Sequence, residues 1–511
     1  MSEAVMLNWL LFLPLLGALA LALVPAGRDG LTRGLALAVM VVQFVLAAWL
    51  YSHFQAGIPG LQFETRIPWI EQWGVYYHVG LDGLNVLLVL LTAFLGPLVV
   101  AGAFSAITTS VRLFYAMLLV LQFAMVGTFL AQDLFLFYVF WEAMLIPMFL
   151  IIGIWGGERR LYATFKFVLY TAFGSILMLA AVIYIAYTVY TATGVPSFAI
   201  ADLYRGDWPL EVQSLLLAAF ALSFAVKVPM VPLHTWLPDA HVEAPAAGSV
   251  ILAGVLLKMG TYGFLKLGLP LFPEAALLFR PALMTLAVVS IIYGALLALV
   301  QDDIKKIVAY SSISHLGYVM LGLVSYDLLG IQGAIIQMVS HGLIAGGLFL
   351  MVGMIYERCH SRDLADYGGL AKLLPGYAVF FMLLTLASVG LPSTSGFTGE
   401  FLVLLGAFNA GWAELPHATW PLALAATAVL GVVLGALYML RLAGRLLFGP
   451  AKAPHTPLAG LNRRESGILA ALVAAIFLIG LAPASLLEKT EASALEIQSI
   501  MRAVQPPGVT P

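Results

Sequence analysis

The chain reads as long apolar runs separated by short polar connections. A bilayer core about 30 Å thick needs roughly 20 helical residues to cross it. Runs of that order fall at 5–24, 31–51, 83–104, 112–131, 134–155, 161–191, 211–230, 244–268, 274–300, 305–325, 328–356, 376–411, 417–448 and 465–487, which predicts about fourteen transmembrane helices. Two runs are expected to be broken. Pro229, with Pro232 just beyond, breaks the end of the seventh, and the segment Pro392-Ser-Thr-Ser-Gly396 interrupts the twelfth.

Composition agrees with this pattern. With 62% hydrophobic residues, 10% charged residues and a mean hydropathy of +1.01, the chain cannot cover a soluble globule with polar groups. The fold class expected is an all-α polytopic membrane protein without a separate soluble domain. The first run ends in ALALVPAG but has Glu3 in place of a positive leading segment, so it is expected to be a membrane helix and not a signal peptide. One cysteine, Cys359, excludes Cys-ligated iron–sulfur clusters, disulfides and CxxC chemistry within the chain. No two glycines stand two apart, so the dinucleotide fingerprint GxGxxG is missing.

Basic residues set the orientation. Of the 24, 16 fall on one side of the predicted helices, six on the other, and Lys227 and Lys258 lie inside the apolar runs. The richer side is expected to be cytoplasmic, with both termini on the outer, periplasmic face. The connections 52–82 and 192–210 are expected as compact interfacial caps, with Trp69, Trp73, Tyr76 and Tyr77 forming an aromatic belt.

The intramembrane charges are the candidate chemistry. An ammonium group at bilayer depth costs roughly 2.5–3.5 kcal/mol on insertion scales, and such residues mark ion paths and proton relays. Glu142 and Glu400 add two carboxylates in apolar surroundings, and His315 and His341 add two imidazoles. Together the six supply every element of a proton wire, because such desolvated groups exchange protons near physiological pH. A structural reading, in which Glu142 and Lys227 simply pair to lock helices, is weaker, because buried pairs often gain little over apolar replacements.

Spacing suggests a repeat. Lys227 follows Glu142 by 85 residues and Glu400 follows His315 by 85, so both members recur after 173. Three N-terminal helices (1–111) are expected before two five-helix copies, 112–268 and 274–448, followed by a C-terminal helix and tail (449–511). An odd number of helices per copy inverts the second copy, and inverted repeats with discontinuous helices place transport sites at the breaks. The run from His234 through Asp239 and His241 to Glu243 holds metal-ligand types, although helix capping and tuning of proton uptake suit it better. Asp302, Asp303, Lys305 and Lys306 read as an interfacial ionic cluster.

The motifs YVFWEAMLIPMFLIIGIWG, VKVPMVPLHTWLPDAHVEAPAAGSVILAGVLLKMG, DDIKKIVAYSSISHLGYVMLG and SVGLPSTSGFTGEF together resemble the subunit M family of bacterial NADH-quinone oxidoreductase, respiratory complex I, with its mitochondrial subunit 4 counterparts. They cover most of residues 110–450. The resemblance implies an antiporter-like fold with a polar axis at mid-membrane and a proton path formed by Glu142, Lys227, Lys258, His315, His341 and Glu400. In that reading Glu142 holds Lys227 charged, and weakening the pair sends the proton through Lys258 and the histidines to Glu400. It also implies that FMN, iron–sulfur clusters and quinone are bound by other subunits, with no cofactor or metal in this chain.

The partners implied are other membrane subunits of the complex, especially sister antiporter-like subunits on both sides, and the lipid bilayer, with no nucleic acid. The location implied is the bacterial inner membrane. A glutamate at position 400 resembles subunit M more than its sisters, and no long amphipathic extension is expected past residue 487. Alternatives are a subunit of a multi-subunit sodium/proton antiporter or of a membrane-bound hydrogenase-type complex.

Overall fold

The computed structural model describes residues 3–452 and 458–505. The elements that matter are α1 (Glu3–Ala22), α2 (Asp29–His53), β1 (Gln62–Ile70), β2 (Val75–Leu81), α3 (Val86–Gly102), α4 (Val111–Leu130), α5 (Leu134–Trp155) and α6 (Arg160–Thr193). The chain continues through α7 (Leu210–Lys227), α8 (Trp236–Glu243), α9 (Ala246–Leu271), α10 (Pro273–Leu299), α11 (Ile304–Ser325) and α12 (Leu328–Cys359). It ends with α13 (Pro375–Ser388), α14 (Ser395–Glu414), α15 (Trp420–Leu447), α16 (Arg463–Leu481) and α17 (Ala484–Ala503).

Among the described residues, twelve helices are long and apolar enough to cross a membrane. The shorter α3 and the interrupted pair α13–α14 complete the fourteen crossings expected. Each of the two predicted breaks is present: Lys227 ends α7 before the turn leading to α8, and residues 389–394 separate α13 from α14. The window 376–411 is therefore two helices. Positive φ at Gly390 (φ 80°) lets the chain turn back there without Cβ strain.

Side-chain caps fix several helix starts. Asp133 accepts from the amides of Phe135 and Leu136, Asp303 from those of Lys305 and Lys306, and Asp327 from those of Leu329 and Gly330. Asn462 and Glu465 form a reciprocal capping box on α16. The centre of the molecule is α9, α11 and α12, which are enclosed on nearly every side, while α1, α2, α15 and α16 show most of their surface to the surroundings. Glycine allows the closest approaches: a Cβ on Gly333 would lie 2.6 Å from Val403 N, and one on Gly399 would lie 2.8 Å from Gln337 Cα. Contacts between small residues of this kind bring membrane helices together where no hydrophobic force distinguishes protein from lipid.

Two expectations need correction. The cap at 52–82 contains an antiparallel hairpin, β1 with β2, pairing Thr65 with Val79 and Ile67 with Tyr77. It is tied to α1, since Tyr77 Oη donates to Asn8 Oδ1 (2.5 Å) and Asn8 Nδ2 donates to Thr65 Oγ1 (2.9 Å). Residues past 487, expected as a tail, belong to α17, which starts where Pro483 ends the preceding crossing. The terminal 506–511 of the expected tail lies outside the described residues.

Candidate proton path

Four of the six predicted residues form a polar row through the enclosed centre. Lys258 of α9 is fully buried, and its Nζ lies 2.6 Å from His341 Nδ1 on α12. The same Nζ donates to the Ala253 carbonyl. Ala253 belongs to a π-helical stretch, Leu252–Leu256, directly before the lysine. Such a stretch loosens the regular ladder and is frequent at functional sites.

The rings of His341 and His315 lie 5.7 Å apart between centroids. His315 of α11 then meets Glu400 of α14, with Nδ1 2.7 Å from Glu400 Oε1. His315 Nε2 faces the hydroxyls of Tyr438 (3.3 Å) and Ser388 (3.4 Å). Hydroxyls can donate or accept, so this end of the ring is served in either protonation state. Glu400 Oε1 also accepts from Gln337 Nε2 at 3.1 Å.

A small cavity lies along this row, lined by Ser311, His315, Gln337, His341, Ser388 and Glu400 among others, with a volume of about 10 Å³. That is room for about one water. Two polar atoms of its wall, His341 Nε2 and Gln337 Oε1, are buried without a hydrogen-bond partner.

Lys227 and Glu142 stand apart from the row and from each other. Glu142 sits beside the turn at Met144, where α5 is interrupted, and its Oε1 is buried without a partner. The expected ion pair with Lys227 is not formed. Instead the Lys227 ammonium lies 3.9 Å from the centre of the Trp141 ring and 3.5 Å from Met144 Sδ. The turn at Met144 aims Trp141 at the lysine, so the cation rests on an aromatic face and a thioether rather than on a carboxylate. Among the described residues no hydrogen bond joins Lys227 to Lys258, although α7 and α9 touch closely: a Cβ on Gly260 would lie 2.8 Å from Phe224 O.

The break after Lys227 is closed by protein. Trp236 Nε1 donates to Val226 O (2.8 Å), Met230 N to Ala225 O (2.9 Å) and Val231 N to Ser290 Oγ (3.1 Å). These bonds satisfy groups that a broken helix leaves free. In the run considered for metal binding the carboxylates are engaged elsewhere, Asp239 paired to Lys166 (2.7 Å) and Glu243 Oε2 accepting from Arg159 N (2.9 Å), while both ring nitrogens of His241 are buried without a hydrogen-bond partner. The expected cluster of Asp302 and Asp303 with Lys305 and Lys306 is not formed: Arg441 and Arg445 lie on Asp302 (each 3.2 Å) and Arg362 on Asp303 (3.5 Å), while Lys305 Nζ donates to the Ala244 carbonyl at 2.6 Å.

Sequence reasoning did not single out Trp141, Gln337, Ser388 or Tyr438. Neutral polar and aromatic residues cost less to bury than charged ones and do not stand out in an apolar run as a charge does.

Residues 131–422 match the family described as NADH:quinone oxidoreductase/Mrp antiporter, TM. The chain is 48% identical over 491 residues to NADH-quinone oxidoreductase subunit M of Rhodobacter capsulatus, covering 94% of this chain and 93% of that one. Among solved structures it is similar to a chain of respiratory complex I from Thermus thermophilus with bound NADH (33% identity, TM-score 0.86, covering 97% and 99%). It also shares its fold with a chain of the Mrp complex from Dietzia (22% identity, TM-score 0.83, covering 99% and 100%).

Proposed function

We propose a role that proceeds from one premise: the chain belongs to the subunit M family of NADH-quinone oxidoreductases. It is a proton-translocating membrane subunit of that enzyme, and Glu142, Lys227, Lys258, His315, His341 and Glu400 form its proton path. The observation that carries the assignment is the series Lys258, His341, His315 and Glu400 along the enclosed centre, hydrogen-bonded at both ends and separated by 5.7 Å between the imidazole centres. Lys258 and His341 share one proton across 2.6 Å, and His315 delivers to a carboxylate 2.7 Å away. The step between the imidazoles, 5.7 Å centre to centre, is short enough for ring rotation or one bridging water. Transfer from Lys227 to Lys258 requires the ammonium to leave the Trp141 face, which makes that step the natural gate. Glu142 acts on Lys227 through the field rather than by direct pairing. Two unit charges about 4 Å apart at an effective dielectric of about 20 interact by about 4 kcal/mol, and the influence falls off with separation.

The redox groups belong to other subunits in this reading, and the chain acts as a driven element. Sister antiporter-like subunits flank it. Half-buried Glu142 and exposed Ile146 support this, because a carboxylate beside a lateral apolar face calls for covering protein. The positive-inside asymmetry supports an inner-membrane placement with both termini outside. The test is Glu400→Gln in the assembled complex, reconstituted in vesicles. Proton release per NADH oxidised should fall, and an unchanged ratio would refute the path.

A further inference from the structure

We infer that Gln337 is a positioning residue for Glu400, and that its side-chain amide reverses when Glu400 gains or loses a proton. This rests on the proposed role of Glu400. Gln337 lies on α12 one turn before His341 and is 2% exposed. Its Nε2 donates to Glu400 Oε1 at 3.1 Å, the same oxygen that His315 Nδ1 approaches to 2.7 Å. Two donors on one oxygen suit an ionised carboxylate.

The other half of the amide supports reversal. Gln337 Oε1 has no hydrogen-bond partner although it is buried, and it lines the cavity of about 10 Å³ beside Glu400 and His341. The bond to Glu400 is therefore all that sets the sense of the amide. Turning it about the last side-chain bond presents Oε1 where Nε2 stood, ready to accept from a protonated Glu400. A glutamine offers both a donor and an acceptor from one planar group. Space for the turn comes from α14: a Cβ on Gly399 would lie 2.4 Å from Gln337 Oε1. Both partners' helices are fixed, so the amide can move while the frame does not.

The remaining groups that face Glu400 are accounted for. His315 and Tyr318 come from α11, His341 from α12, and Tyr438 from α15, while α13 contributes the hydroxyl of Ser388. Tyr318 is engaged with Ala428 O at 3.1 Å and Tyr438 with His315 Nε2, leaving Gln337 as the neutral group placed to follow the carboxyl itself.

The experiment uses the intact complex. Pumping is measured against pH in vesicles, and the Glu400 carboxyl is followed by its infrared C=O band, assigned by its loss in Glu400→Gln. Gln337→Met keeps the volume but removes both hydrogen-bonding atoms. It should assemble, move the pH profile by on the order of one unit and displace the carboxyl band. In Gln337→Glu two carboxyls share the site, and the profile should move to higher pH because both cannot ionise freely. An unmoved profile and band in Gln337→Met would overturn the inference, as would failure of both variants to assemble, which would make the residue a packing element. Normal pumping by Glu400→Gln would instead remove the path itself, and the band comparison separates the two results.

Discussion

Lys258 Nζ and His341 Nδ1 stand 2.6 Å apart in the most enclosed part of the molecule, within hydrogen-bond reach of each other. Two ends of one hydrogen bond do not contribute independently. Lys258→Met and His341→Phe should each abolish most coupled pumping, and the double variant should be no worse than the more severe single one. Proton-to-electron ratios of the three assembled complexes decide this, and losses that multiply would mean two separate steps.

The ring beneath Lys227 predicts a graded effect. At 3.9 Å from the ring centre the ammonium gains about 2 kcal/mol when desolvated, and an indole serves better than a phenyl ring. Trp141→Phe should lower the pumping rate several-fold and Trp141→Leu by more than tenfold, with the complex still assembled. Glu142→Gln should cost less than Trp141→Leu, since no ion pair is lost. The opposite ranking, measured as initial rates of proton uptake, would restore the carboxylate as the main partner of Lys227.

Gly399 should tolerate no side chain. The added Cβ would meet the Gln337 backbone at 2.8 Å as well as its amide oxygen, and backbone cannot yield as a flexible side chain can. Overpacking of this kind costs typically 1–3 kcal/mol. Gly399→Ala should reduce both assembled complex and turnover. Gly376→Ala, at a position with nothing within 4 Å, should match the parent protein. Quantifying assembled complex in native gels separates the two.

Asp82 and Lys266 form a buried ion pair at 2.6 Å between the β2–α3 turn and the end of α9. Breaking one side leaves an uncompensated charge, worth about 3–5 kcal/mol, whereas an apolar pair of similar size is often nearly neutral. Asp82→Asn should lower the thermal stability of the purified complex strongly, and Asp82→Leu with Lys266→Met should recover much of it. A double variant less stable than the single one would indicate that the pair gives more than mutual compensation.

The crossings and both breaks were legible because an apolar run needs a fixed length, and proline and glycine mark where it cannot continue. The intramembrane charges were legible for a related reason: each is expensive enough to stand out. What was hidden depends on packing. Gln62–Ile70 has no alternating pattern to read, since only Phe63 of the strand is buried. The π-helical stretches at Leu252–Leu256 and Phe264–Gly268 have no residue signature, since neighbouring helices impose them. The resemblance implies that Glu142 holds Lys227, whereas the ammonium rests on the neighbouring ring of Trp141, a contact that no spacing of charges marks. The buried positions of α17, Thr490, Ser493, Ala494, Ile497, Gln498 and Met501, follow helical spacing that could have been found beyond the last apolar run.

That last helix bears on how the molecule can move. From α17, Ser493 Oγ accepts from Gly83 N (3.0 Å), the Leu487 carbonyl from Gln332 Nε2 (2.9 Å), and Lys489 Nζ donates to Phe54 O (2.5 Å). Gln498 Nε2 reaches the Tyr326 carbonyl at 3.2 Å. One strap thus fastens the end of α2, the start of α3, the α11–α12 turn and the start of α12 to a common bar. Motion of α2 and α3 against α11 and α12 would have to break the attachments on one side of this bar. The last helix is thus a tie bar across elements that chain order places far apart.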